Sequence, residues 1–336
     1  MSLKIGDLIP IGGKGGDLLF AYGLKIEGIS ILGKVLSAEY TFVSQYPELE
    51  QGTTFQWFRG EDRYGEFAEI EGATNKEYTL VEDDVDNYIK VIVTVSDTAG
   101  RKGLAIPMWS DNAIVDVDDT SGSPGSPKLI AGNMEQGYFG VVPSSQLITG
   151  NALASMVGIS AGTSQFSSEG WLKFAYQGII QFVAKKPIRH SISWDRINSA
   201  NCIYGAKTVT IGGLTYKVRL MRGANKDPAG YFSGSINHNS EWNKLMLPIH
   251  IEAKNKNWAH PLNVETDVPY WGIDFTDTDL CTHSSVGNGA YSWCQEVAET
   301  SGSRILRSFF GVSDSYSSGS YTAASNRGWR PVLRLV

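Results

Sequence analysis

The sequence predicts a mainly β, multidomain chain in which a β-sandwich is followed by an α+β domain. Residues 25–117 alternate short β-branched and aromatic runs with turn residues. Residues 128–336 add helix start signals between further strand patterns. Residues 326–336 end in an alternating apolar pattern after a proline, which is typical of a strand. At 336 residues the chain has room for two or three domains.

Composition and charge exclude several classes of protein. Apolar residues make up 42% of the chain and charged residues 19%, which fits a folded protein and not a disordered one. The net charge is −6 and no block of Lys and Arg occurs, so we predict no nucleic-acid partner. No run reaches the roughly 18 to 20 apolar residues of a membrane helix, and the first residues lack a secretory signal pattern. We therefore predict no membrane partner and folding in a cytoplasm.

Residues 1–24 are predicted to form an N-terminal anchor segment. The apolar runs 8–11 and 18–22 flank a glycine-rich break at residues 12–16. Each run is too short to bury itself, so each needs a neighbouring surface. We interpret the segment as a contact with another protein of an assembly. The alternative is an extra edge strand on the following domain.

Residues 25–117 are predicted to form a sandwich of about seven short strands, a number typical of such a domain. Trp57 is expected to be its buried core tryptophan. One face of the run at 88–95 would be apolar, with Ile89, Val91, Val93 and Val95. The runs at 55–59, 70–74 and 78–80 resemble bacterial and phage immunoglobulin-like (Ig-like) domains. The disulfide of that family's antibody members is missing, because no cysteine precedes residue 202.

Residues 118–127 are predicted to be a linker. They are acidic at first and then rich in Gly, Ser and Pro, with little to bury. We expect a semi-extended tether between two domains.

The α+β domain is assigned to residues 128–336. Runs 171–176 and 179–184 predict one hairpin, and runs 208–211 and 215–220 predict another that turns at Gly212 and Gly213. Helices are predicted at 151–157, after Ser193 and after Ser240. Residues 304–310 are predicted to form a strand before the last loop.

The closing segment is predicted to be a strand paired into the middle of a sheet. Pro331 forbids a helix interior. Alternation would place Val332 on one face and Leu333 on the other, and Trp329 is expected to be buried.

This closing Gly-Trp-Arg-Pro-Val-Leu segment resembles the end of many tailed-bacteriophage virion proteins. It is also similar to the final strand of the C-type-lectin-like fold shared by formylglycine-generating-type domains and phage tropism determinants. Segments 193–197, 241–246 and 303–308 fit the same fold, so the resemblance covers roughly residues 130–336.

The resemblance implies a virion surface protein on the particle exterior: a fibre, decoration or tail-associated protein that folds in the host cytoplasm before assembly. Its lectin-like head would serve host attachment, and the N-terminal segment would contact other virion proteins of the capsid or tail. Homo-oligomers are compatible with this role. The alternative is a purely structural decoration or collar protein without a ligand.

The sequence offers no catalytic set, so we predict no enzyme, no cofactor and no metal site. Formylglycine-generating enzymes use two redox-active cysteines, and Cys281 and Cys294 do not match that context. We expect free, buried thiols, with a Cys281–Cys294 disulfide as the alternative. The aspartates at 274, 277 and 279 resemble a calcium loop only loosely.

A binding surface remains, and residues 313–325 are its main candidate as an exposed loop. Tyrosine supplies rigid contact area, while serine and glycine supply adaptable hydrogen bonding. Aromatic residues of the preceding loops could add faces on which sugar rings stack. The predicted binding residues for a host-surface glycan or protein are Tyr316, Ser317, Ser318, Tyr321, Trp258, Tyr270 and Trp271.

Overall fold

The computed structural model describes residues 19–229, 234–299 and 302–336. The chain is mainly β, with 40% strand against 13% helix, as the sequence predicts. It divides into two compact units, Met1–Val117 and Asp118–Val336. In the described part of the chain, no helix combines the length and the apolar character needed to cross a membrane.

The described part of the first unit consists of two antiparallel sheets with strand orders β1-β2-β5 and β4-β3-β6-β7. The strands are β1 (Leu19–Glu27), β2 (Val35–Ser44), β3 (Thr54–Gly60), β4 (Ala68–Glu69), β5 (Glu77–Thr79), β6 (Tyr88–Ser96) and β7 (Lys102–Trp109).

Both sheets of the first unit contribute to one apolar core. The alternation predicted for β6 is confirmed, because its inward positions are fully buried: Ile89, Val91, Val93 and Val95. Trp57 is fully buried as predicted. Its indole N–H donates to the Asn75 carbonyl at 2.8 Å, so the polar end of this core side chain is satisfied.

Residues 19–24, predicted as part of an anchor, instead belong to the fold of the first unit. They begin β1, which pairs with β2 from Leu19 opposite Ser44 onwards. Leu19, Ala21 and Leu24 are buried in the unit's core, so these apolar residues are covered by their own domain. Residues 1–18, the rest of the predicted anchor, lie outside the described residues.

The segment predicted as a tether, residues 118–127, is folded against the second unit. Asp119 is buried, and its Oδ2 lies 2.6 Å from the ammonium nitrogen of the buried Lys173. Lys173 also donates to the Ser126 carbonyl at 2.8 Å, and the Ser123 hydroxyl donates to Asp119 at 2.6 Å. Polar groups of this segment therefore hydrogen-bond to the buried Asp119–Lys173 ion pair. The composition of the segment does not reveal this arrangement.

Two sheets organise the second unit, with orders β14-β15-β20-β12-β11-β9-β8 and β10-β13-β19-β16-β17-β18. Its strands are β8 (Ala131–Gly132), β9 (Gln136–Val142), β10 (Thr163–Ser164), β11 (Trp171–Tyr176), β12 (Ile179–Ala184), β13 (Arg189–His190), β14 (Tyr204–Ile211), β15 (Leu214–Arg219), β16 (Tyr291–Val297), β17 (Ser303–Arg307), β18 (Ser315–Gly319), β19 (Arg327–Trp329) and β20 (Val332–Leu335). Its α-helices are α1 (Gly150–Val157), α2 (Trp194–Ser199), α3 (Glu241–Met246), α4 (Glu252–Asn255) and α5 (Asp277–Leu280). Both predicted hairpins, β11–β12 and β14–β15, are confirmed.

The closing segment forms an interior strand of the seven-stranded sheet, between β15 and β12, as predicted. In β20, Leu333 lies opposite Phe182 of β12 and Val218 of β15. Leu333 and Trp329 belong to one apolar cluster, here core 1, and Val332 belongs to a second cluster, here core 2. Since alternate strand residues point to opposite faces, the sheet is covered by a core on each side.

The predicted helix signals are confirmed as well. Ser193 accepts the Arg196 N–H at the start of α2, and Ser240 accepts the Asn243 N–H at the start of α3. Helix α1 ends at Gly158, whose φ of 79° is the left-handed conformation typical of a helix end.

Two fully buried arginines connect loops around Trp242. Arg330 donates to the Ala184 carbonyl at 3.0 Å, and Arg307 donates to the Gly223 carbonyl at 2.9 Å. Their guanidinium carbons lie 5.7 and 5.6 Å from the Trp242 ring. Burial lowers the pKa of each to about 10. Among the described residues, neither forms a salt bridge with a carboxylate, so carbonyl dipoles stabilise these charges.

Candidate functional site

The predicted binding loop contains a strand. Residues 315–319 form β18, which is the outer strand of the six-stranded sheet and pairs with β17. Tyr316 lies opposite Leu306, and Ser318 lies opposite Arg304. Alternation along the strand places Tyr316 and Ser318 on one face and Ser317 on the other. The predicted residues of this segment therefore do not form a single surface.

Tyr316 is the end of a stack of aromatic rings. Its ring lies 5.5 Å from that of Tyr291 at an interplanar angle of 25°, and Tyr291 stacks on Phe309 at 4.3 Å and 8°. Phe310 meets Phe309 edge-on at 4.7 Å and 83°. We call Tyr316, Tyr291, Phe309 and Phe310 the aromatic ladder. Phe310 is 51% and Tyr316 45% exposed, whereas Tyr291 is 5% exposed, so a buried ring supports the exposed ones.

The backbone beneath the aromatic ladder has an uncommon conformation. The predicted strand at 304–310 ends at Arg307, because Ser308 and Phe309 have φ values of 67° and 123°. A phenylalanine at positive φ is strained and persists only where its surroundings hold it. Here the Phe309 N–H donates to the Thr282 carbonyl at 3.0 Å, and the Ser284 N–H donates to the Phe309 carbonyl at 2.7 Å.

Asp314 closes the same turn. Its carbonyl accepts the Ser308 N–H at 3.0 Å, and its carboxylate accepts the Phe310 N–H at 3.3 Å. The other carboxylate oxygen lies 3.6 Å from Nε2 of His260, whose ring is 6.5 Å from that of Phe310. Burial raises the pKa of Asp314, while the His260 charge and the Phe310 N–H act in the opposite direction. The turn that presents Phe310 is thus fixed by hydrogen bonds on both sides.

Arg327 packs against the aromatic ladder from β19. Its guanidinium carbon lies 4.7 Å from the Tyr291 ring and 5.8 Å from the Tyr316 ring. Its Nη2 donates to the Ser318 hydroxyl at 3.3 Å. Burial lowers the pKa of Arg327, and the two tyrosines oppose that effect. The ladder therefore has a cation on its flank, with Ser318 beside it.

Tyr321, the remaining predicted residue of this segment, is 80% exposed. A Cβ added to Gly319 would come within 2.9 Å of the Tyr321 ring. This ring therefore covers the end of β18 on the face of Ser317 and Gly319, opposite to the face of Tyr316 and Ser318. Tyr316 and Ser318 are thus brought together as predicted candidates, with Tyr291, Phe309, Phe310 and Arg327 as additional members, whereas Tyr321 lies on the other face of the strand.

The remaining predicted residues, in the preceding loops, are Trp258, Tyr270 and Trp271. Trp258 and Trp271 are half-buried and pack against core 2, whereas Tyr291 belongs to core 1. Tyr270 is exposed, and its hydroxyl donates to the Asp274 carboxylate at 2.5 Å. The two tryptophans are therefore peripheral core residues, the outcome their size favours.

The described part of the chain contains neither a disulfide nor a cluster of metal-ligand residues. The three cysteines are free and buried, so the alternative Cys281–Cys294 disulfide is not formed. Burial raises the pKa of Cys294 well above its ordinary value, which keeps it a thiol. No three His, Cys, Asp or Glu side chains among the described residues are grouped to hold a metal ion. Asp279, one of the loosely calcium-like aspartates, caps α5 by accepting from Thr276.

Sequence reasoning missed Phe309, Phe310 and Arg327. The two phenylalanines continue the apolar pattern of β17, so the pattern predicts a strand through both of them. A Phe-Phe-Gly sequence before a polar loop was the available signal, because Gly311, at φ 124°, marks the reversal of the chain. Comparison with protein-family models gives no match, and comparison with curated proteins gives none either.

Proposed function

We propose that the second unit binds a host-surface ligand and that the chain is an exterior protein of a bacteriophage particle. The assignment to a particle is supported by the resemblance of the closing segment to tailed-phage virion proteins and of residues 55–80 to phage Ig-like domains. Ligand binding is supported by the aromatic ladder, and its half-exposed rings are the observation that carries the proposal.

Several features of the ladder favour binding. Phe310 and Tyr316 remain about half exposed, although clustered apolar surface usually marks an interaction site. Their positions are fixed by stacking and by the Asp314 hydrogen bonds, so binding costs little side-chain entropy. Ser318 adds a hydroxyl group beside the apolar face of Tyr316. This combination suits sugar rings, which stack by their C–H edges and hydrogen-bond through their hydroxyls.

Attachment of the purified full chain to a panel of bacterial strains and to a glycan array tests the proposal. Saturable binding is expected for the wild type. Replacing Tyr316 and Tyr321 together by alanine should abolish it, since aromatic anchors each contribute about 1 kcal/mol or more to an interface. Phe310→Ala should weaken it as well. Tyr64→Ala is the matched control, because this tyrosine is 89% exposed in the first unit.

The melting temperature of each variant shows whether the second unit remains folded. Loss of attachment by a folded Tyr316→Ala, Tyr321→Ala double variant supports the proposal. If the folded wild type binds no cell and no glycan, the purely structural decoration or collar role replaces it. If the double variant binds as the wild type does, the ligand site is not the aromatic ladder.

A further inference from the structure

We propose that the binding surface contains an anion subsite formed by Arg304, Ser318 and Arg327, so that its ligand is an acidic saccharide. The saccharide part rests on the proposed function. The subsite itself rests on geometry and can be tested with inorganic anions alone.

Strand pairing brings the three side chains to one place. Arg304 of β17 lies directly opposite Ser318 of β18. Side chains at such paired positions share a sheet face, with Cβ atoms about 5 Å apart. Arg327 reaches the same serine from β19, since its Nη2 donates to the Ser318 hydroxyl at 3.3 Å. Ser318 therefore contacts the Arg327 guanidinium and lies beside the Arg304 side chain.

Each guanidinium keeps an unused donor. The Nε atoms of Arg304 and Arg327 are both buried, and neither has a hydrogen-bond acceptor among the residues that the structure describes. Arg327 is only 8% exposed as a residue. Buried donors without a partner are uncommon in native proteins. Two of them on the same sheet face indicate an acceptor that arrives with a ligand.

No carboxylate neutralises these charges within the described residues. Arg304 stacks on Trp194 at 4.3 Å and donates to the Ser303 carbonyl at 3.0 Å. Arg327 contacts tyrosine rings, Asn326 and Ser318. Asp195, at the start of α2, accepts the Ser320 hydroxyl at 3.1 Å and forms no ion pair with either arginine. The positive charge at this place is thus available to an anionic ligand.

The surroundings select the chemistry of that ligand. A guanidinium presents a planar fork of donors that suits carboxylate, sulfate or phosphate groups. The face of Tyr316 suits an adjoining sugar ring. The net charge of −6 makes a nucleic-acid backbone a poor alternative source of the anion. An acidic saccharide supplies both the anion and the ring.

The experiment has two arms, both with the full chain. In the first, isothermal titration measures binding of inorganic sulfate at fixed ionic strength. In the second, a glycan array presents saccharides in pairs that differ only by one carboxylate, sulfate or phosphate group. The variants are Arg304→Gln, Ser318→Ala and Arg327→Lys, the last of which keeps the charge and removes the fork. Arg63→Gln, in the first unit, is the matched control.

We expect the wild type to bind sulfate and to prefer the acidic member of each pair by about tenfold or more, the usual effect of a charge-assisted contact. Arg304→Gln should lose that preference while keeping the weaker binding of neutral members. If Arg327→Lys does not fold, Arg304→Gln and Ser318→Ala carry the test.

Equal binding of acidic and neutral members by the wild type, or unchanged anion binding by folded Arg304→Gln, would overturn the inference. If the array shows no binding at all, the proposed glycan function and the acidic-saccharide ligand both fail. The sulfate arm then tests the subsite by itself. Sulfate binding by the wild type that is lost in Arg304→Gln would support an anion site, and absence of sulfate binding by the wild type would refute it.

Discussion

Arg330 shows why the closing segment carries an arginine. Its guanidinium reaches the carbonyls of Ala184 and Leu280 and the Ser292 hydroxyl from one fully buried position. These acceptors come from separate parts of the chain, so one side chain fixes the ends of several elements around β20. A lysine has a single nitrogen and cannot match this planar arrangement of donors.

We predict that Arg330→Lys destabilises the second unit by roughly 2–4 kcal/mol, because several buried carbonyls lose their donor. Chemical denaturation of the full chain measures the effect. The control is Arg334→Lys, four positions further along the chain, where the side chain is half-buried. If both variants lose a similarly small amount of stability, the planar set of guanidinium donors at Arg330 is not needed for the fold.

Glu296 makes the stability of the second unit depend on pH. Burial raises its pKa to about 7, while the Gly223 N–H, which it accepts at 3.0 Å, acts the other way. An acid whose pKa is raised on folding stabilises the fold below its unfolded pKa of about 4.3 and loses that contribution as pH rises through its folded pKa.

Glu296→Gln, which does not titrate, should therefore be more stable than the wild type at pH 8, by up to roughly 3 kcal/mol. The advantage should shrink toward pH 5. Unfolding by denaturant at both pH values measures it, and exposed Glu135→Gln is the control. An equal difference at both pH values would mean that Glu296 does not titrate in this range.

Local rules explain which residues could be predicted. Trp329, Ser193 and Gly158 follow from alternation, capping and helix-end chemistry, each of which needs only neighbouring residues. Asp119 and Lys173 are far apart in sequence, and no pattern predicts that they meet. The aromatic ladder was missed for the same reason, because Tyr291 and Phe309 come from separate elements.

At the scale of elements, β20 is the best example of a strand that its own sequence predicts. Its apolar side chains on one face pack into core 1, and those on the other face pack into core 2. Strand β17 is the counterexample. The apolar run continues to Phe310, but the strand ends at Arg307, where tertiary contacts hold a strained turn. Periodicity cannot detect strain of that kind.

Trp329→Ala should destabilise the second unit by about 3 to 5 kcal/mol, as truncation of a buried aromatic side chain does. Calorimetry of the full chain should show the transition of this unit at a lower temperature and that of the first unit unchanged. Trp57→Ala is the matched control, and it should affect only the first unit. A single calorimetric transition whose temperature falls equally in both variants would show that the two units unfold together.

The division after Val117 has a practical consequence for the whole molecule. Residues 118–127 belong to the second unit, because Asp119 pairs with the fully buried Lys173. A boundary drawn from composition alone places them between the units. A fragment that begins at residue 128 would leave the Lys173 charge buried without its partner.

We predict that the fragment 128–336 is less stable than 118–336 by roughly 3–5 kcal/mol, the usual effect of breaking a buried ion pair. Lys173→Met should recover part of this loss in the shorter fragment, since it removes the unpaired charge. Denaturation of the three proteins measures both effects. Equal stability of the two wild-type fragments would mean that the segment does not contribute to the fold.

The position of β20 also determines when the second unit can form. Strands β12 and β15, which lie on either side of it, are translated long before residues 332–335. Until those residues leave the ribosome, the seven-stranded sheet is two separate pieces with unpaired edges toward the missing strand. The strands of the first unit all precede residue 110, so that unit can complete its pairing during synthesis. A nascent chain stalled before residue 332 would therefore carry one finished unit and two open sheet edges, the condition that favours aggregation.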